Sequence, residues 1–176
     1  MNADTEAYIR HVTGVIRSQC HLTTPVNDID GLVRQLGGTV IEKPGLDRLY
    51  DGTVRKTGDQ SFEIAIFPRQ DKPQRDFAVA RELGHLFLHM GFTGSDGTWE
   101  RYEINGPFRN FSSDEQEAQA HLFAASLLMP EQEFAAKVME CSGNDGMVNI
   151  EKVAEHFGVY PQTALSYGKY IGLFPY

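Results

Sequence analysis

The sequence predicts an α+β fold, and three observations carry that prediction. Residues 5–18 and several later stretches repeat their apolar positions with a helical period, while residues 39–67 hold short β-type runs parted by polar turns. Residues 74–90 are apolar around most of a helical circumference, which marks a helix buried on nearly all sides. The length, 176 residues, suits one domain. The expected organisation is a core over residues 1–130 and a helical C-terminal part over 131–176.

The first helix is expected over 5–18, where Tyr8, Ile9, Val12, Val15 and Ile16 fall at i, i+3/i+4, i+7 spacing. A second starts after Pro25 with Asn27 or Asp28 as its cap, carries Ile29, Leu32, Val33 and Leu36, and stops at Gly37-Gly38. Thr39 to Glu42 reads as a strand. A hairpin follows, with arms at 51–55 and 62–67 and a polar turn at 56–60; Phe62, Ile64 and Ile66 share one face. The buried helix runs from Gln74 to Met90. Residues 91–112, with four glycines, Pro107 and the single tryptophan Trp99, make a long connection of the kind that forms lids or contacts substrates. A helix resumes at Ser113, whose spacing to Gln116 fits a capping box, and ends at Pro130, which can open the next. The tail reads helix, Gly158 turn, helix.

Composition narrows the function. Sixteen Lys+Arg against 24 Asp+Glu leave a net charge of -8, so no positive field draws the chain to a phosphate backbone. The tail resembles a helix-turn-helix in outline, but its second helix carries one basic residue, Lys169, which makes nucleic-acid binding a minor option. Cys20 and Cys141 have no C-x-x-C spacing, and no apolar run approaches a membrane span. The expected setting is cytoplasmic, with no membrane partner.

One stripe on the buried helix is polar. Arg81, Glu82, His85 and His89 fall together at 100° per residue. In a zinc peptidase of the H-E-x-x-H type, two histidines at i, i+4 bind one metal and the glutamate beside the first acts as general base. Here Glu82 and His85 occupy the base and second-ligand slots, Glu117 on the next helix suits a third ligand, and Arg81 stands in the first-ligand slot. Arginine has no lone pair to give a metal.

The segments Asp76-Phe77-Ala78-Val79-Ala80-Arg81-Glu82-Leu83-Gly84-His85-Leu86-Phe87-Leu88-His89 and Glu117 to Pro130 resemble the ImmA/IrrE metallopeptidases, with their F-T-x-A-H-E-L-G-H-x-x-L-H and E-x-x-A-N-x-F-A-A-x-L-L-M-P patterns. The resemblance extends to Pro25–Gly38, the Gly52–Phe67 hairpin and 153–159. It implies a zincin-like fold with a small, mostly antiparallel sheet, zinc ligation by His85 and Glu117, a general-base role for Glu82, and action on a helix-turn-helix repressor in bacteria or their mobile elements. Two positions depart from it: Arg81 for the first zinc-binding histidine, and His121 where the family usually has Asn or Asp.

Two arrangements satisfy these departures. In one, His121, one turn from Glu117, reaches the metal, so that zinc has His85, His121 and Glu117 and a water for Glu82 to activate. In the other, the Arg81 guanidinium supplies among Glu82 and Glu117 the positive charge zinc would have supplied, leaving a pseudo-protease that regulates by binding a protein. A pair of His85 and His89 as ligands is less suited, because Glu82 then precedes the first ligand by three positions. His11, His21 and His156 read as surface residues, and both cysteines as packing residues.

Overall fold

A computed structural model describes residues 1–44, 52–108, 113–143 and 146–175. Helix α1 (Ala3–Gln19) is capped by Asn2, whose side chain accepts from the Thr5 N–H, and it buries Ile9 and Ile16. Helix α2 (Ile29–Gln35) starts at Asp28, as its capping chemistry predicts, and ends before Gly37, whose φ of 91° suits glycine. Strands β1 (Gly38–Glu42), β2 (Gly52–Gly58) and β3 (Ser61–Ile66) form a sheet in the order β1-β3-β2. β2 and β3 make the expected antiparallel hairpin, whereas β1 joins β3 in parallel, so the sheet is mixed. The hairpin turn is tighter than its polar sequence suggests: β2 continues through Lys56 to Gly58. Asp51, placed at the start of that hairpin, lies outside the described residues.

Helix α3 (Lys72–Leu88) begins two residues before the expected Gln74, at the cap Asp71 with Pro73 in its first turn. Helix α4 (Asp114–Leu128) opens on Ser113, whose hydroxyl accepts from the Gln116 N–H. The two helices approach closely at Gly84, where an added Cβ would sit 3.0 Å from the Ala120 Cα and 3.1 Å from the Phe123 Cβ. That contact sets which side chains meet across the pair. Helices α5 (Glu131–Glu140), α6 (Ile150–Phe157) and α7 (Pro161–Tyr170) follow, with Phe134 touching both Phe157 and Tyr167. One apolar cluster runs from Ile9 through the sheet and α3 to Tyr167. Among the described residues, no helix is long and apolar enough to cross a membrane.

Among its described residues, the connection after α3 is fastened to the hairpin at Trp99 and Asn105. Trp99 is buried against Phe92 and donates its indole N–H to the Asp59 carbonyl at 2.6 Å. Lys56 is buried too, with Nζ donating to the Trp99 carbonyl at 3.2 Å and lying over the indole ring. The Asn105 N–H then donates to the Lys56 carbonyl, so this strap covers part of the outer edge of β2. Residues 109–112 lie outside the described set.

Candidate functional site

The polar stripe of α3 faces α4, and its centre is a cation. Arg81 donates from Nη1 to Glu117 Oε2 at 3.0 Å and from Nη2 to Glu82 Oε1 at 3.0 Å. Its guanidinium thus bridges a carboxylate on its own helix and one on the next. Glu82 is 2% exposed, so its charge has been taken from water and needs such a partner. Gly52, at the start of β2, closes the other side of Glu82: a Cβ there would lie 2.8 Å from the Glu82 Cγ. A side chain at that position would force the Glu82 side chain to shift.

His85 is buried beside this pair, with Nε2 3.3 Å from Glu117 Oε1. Its Nδ1 lies 3.0 Å from His89 Nδ1, and His89 Nε2 lies 3.0 Å from Gln119 Oε1. The two Nδ1 atoms share one proton, so this contact fixes the orientation of both rings, and Gln119 holds the far side of the His89 ring. The chain of contacts aims His85 Nε2 at the Glu117 carboxylate, the ring edge by which a histidine would ligate a metal. The orienting role of His89 and Gln119 is not legible in the sequence alone. The i, i+4 spacing of His89 to His85 was visible there, but Gln119 stands on the other helix.

Burial first, then His89, Arg81 and His121, pushes the His85 imidazole down to about 3 from 6.5. The unfolded chain therefore takes up this proton near 6.5 and the folded chain only near 3. Stability from a neutral His85 is complete above the upper value and is lost as pH falls through that window. Urea unfolding between pH 7 and 5 should show stability falling with pH by up to about 1.4 kcal/mol per unit from this one proton. The His85→Gln variant should flatten that slope, and equal slopes in the two proteins would remove His85 as its source.

His121 lies one turn beyond Glu117 on α4, but its ring packs against Phe77, 5.5 Å between centroids, and it shares a small cavity with Phe77 and Arg81. Among the described residues, no three of His, Cys, Asp and Glu are grouped as a metal ion requires. As arranged, the residues do not fit a metal, because a guanidinium already bridges the two carboxylates that a divalent ion would draw together.

Comparison with known proteins agrees with this architecture. A peptidase family model described as the IrrE N-terminal-like domain matches residues 35–166. A solved structure described as a Mycobacterium tuberculosis transcriptional regulator is similar with a TM-score of 0.54 at 18% identity, over 90% of this chain and 45% of that one. At that identity the likeness concerns the fold, and this chain spans less than half the length of that regulator. No curated protein sequence matches.

Proposed function

Since the chain belongs to the IrrE N-terminal-like family of metallopeptidases, we propose that it is a regulatory member in which Arg81 has taken the place and the charge of the metal, and which acts in the cytoplasm by holding a protein partner without cleaving it. The observation that carries this reading is the Arg81 guanidinium shared between Glu82 and Glu117, each at 3.0 Å. A peptidase site of this type needs Glu82 with a lone pair aimed at a metal-bound water. Here that carboxylate is engaged by a cation that supplies no water, and Glu117 is engaged by the same cation.

The partner we propose is a basic, DNA-binding regulator of the helix-turn-helix kind. A net charge of -8 favours encounter with such a protein over encounter with DNA itself. A solved structure of similar fold is described as a transcriptional regulator, which supports a regulatory role. The alternative, in which zinc is held by His85, Glu117 and His121, requires His121 to leave Phe77 and Arg81 to release both carboxylates.

The test is metal content and cleavage on one preparation. Purified protein offered one equivalent of zinc and then desalted is expected to retain well under a tenth of an equivalent. It should leave a co-expressed helix-turn-helix repressor uncut while still binding it. Retention of about one zinc per chain, lost in the His121→Ala variant, would establish the alternative instead.

A further inference from the structure

A groove of 410 Å³ lies between α4 and α7, with Phe77 of α3 also in its lining. Its α4 wall is Ala118, His121, Leu122 and Ala125, the i, i+3, i+4, i+7 stripe of one helix face. The α7 wall is a second stripe, Gln162, Ser166 and Tyr170, at i, i+4, i+8. Leu122, Ala125 and Tyr167 are buried and form the floor, while Ala118, His121, Ser166 and Tyr170 are exposed along the rims. The floor is therefore complete and the top open.

Length, charge and position each bear on what this groove takes. From residue 118 to 125 the α4 stripe spans about 10 Å, two turns of a helix at 1.5 Å per residue. Met1 completes the lining, and no Asp, Glu, Lys or Arg side chain takes part in it, although 23% of the chain is charged. The α4 and α7 walls match apolar side chains. One turn before Ala118 the same stripe reaches the exposed acidic start of α4, with Asp114 and Glu115. The groove adjoins the smaller cavity that touches Arg81, since Phe77, His121 and Thr163 line both.

We infer that this groove is a docking site for a short amphipathic helix of a protein partner, two apolar anchors at i, i+4 seating on Leu122, Ala125 and Phe77 and a basic residue meeting the acidic end of α4. Two facing helix stripes accept a third helix by ridge-into-groove packing, and a two-turn segment is what the length admits. The inference rests on the reading that the chain works by holding a protein, and it names the surface: the α4–α7 face, next to the Arg81 cluster and outside it. Exposed Tyr160 and Tyr170 beside the rim add the aromatic character common at such interfaces.

The probe is a fluorescein-labelled, hydrocarbon-stapled helix of about four turns, with leucines at i, i+4 on one face and lysines flanking them. Fluorescence anisotropy with the full chain should show saturable binding in the micromolar range, lost when both leucines are replaced by serine. Ala118→Trp and Ser166→Trp fill the groove from opposite rims at exposed positions, and each should weaken binding at least tenfold while circular dichroism stays native. Asp114→Asn should weaken it about threefold at low salt and little at high salt, as a screened charge requires. Binding that ignores both tryptophan variants would overturn the proposal. So would capture of the neutral dye N-phenyl-1-naphthylamine with no binding of the helix, which would make the groove a small-molecule site. Zinc content measured on the same samples separates the two readings: a zinc-free protein that fails to bind the helix sinks the groove alone, and a zinc-loaded one that binds it sinks the metal-free reading alone.

Discussion

Replacing Arg81 by methionine is expected to lower the stability of the fold by about 3–5 kcal/mol, the range for breaking a buried ion pair on one side only. The side chain is 11% exposed and meets two carboxylates, and one of them, on Glu82, has almost no access to water. Methionine keeps much of the volume but leaves that carboxylate with neither the guanidinium nor solvent. The Arg81→Met/Glu82→Leu double variant removes both charges and should recover most of the loss, since a matched apolar pair of similar volume does not pay for desolvating an ion. Urea unfolding at pH 7 measures both. A loss below about 1 kcal/mol for Arg81→Met would place the pair in the class of solvated surface bridges and withdraw its structural role.

The second large effect is a gain. The Arg81→His variant is expected to bind about one zinc per chain after desalting, with affinity raised at least a hundredfold over the parent protein. The new imidazole would stand at i, i+4 to His85 on α3, with Glu117 across the Gly84 contact and the Glu82 carboxylate released from its cation. His85 needs no proton removed at neutral pH, because burial and its neighbours hold it down to about 3. The His89 and Gln119 bonds already aim its Nε2 at Glu117. Isothermal titration with zinc reads the affinity. Stoichiometry no different from the parent would mean that more than the first ligand has been lost. His89→Ala in the same background should weaken zinc about tenfold, the usual consequence of removing a group that orients a ligand.

Most element boundaries were legible because they depend on local chemistry. Asp28 and Ser113 carry short acceptors one turn before amide donors, Gly158 sits at a left-handed φ of 67° after α6, and Pro130 caps α5; each speaks to its own neighbours in the chain. Lys56 and Trp99 were misjudged for the opposite reason. A lysine in a polar run reads as a turn residue and a tryptophan in a glycine-rich connection reads as a lid residue. They bury each other across 43 positions of sequence, a meeting that no periodicity announces. The parallel pairing of β1 with β3 likewise joins segments far apart in sequence, and no periodicity announces it.

The site divides along the same line. The motifs around 81–89 and 117–130 resemble the family closely enough to place the chain in it and to locate the departure at Arg81, and helical spacing alone puts Arg81, Glu82 and His85 on one stripe. Whether arginine serves there as an intruder or as a substitute for the metal depends on where its guanidinium ends, and that is governed by a contact between helices. Gly84 lets α3 and α4 come close enough for Arg81 and His85 to reach Glu117, 36 and 32 positions away. A side chain's rotamer and its partner on another element follow from packing, and packing is a property of the folded chain as a whole.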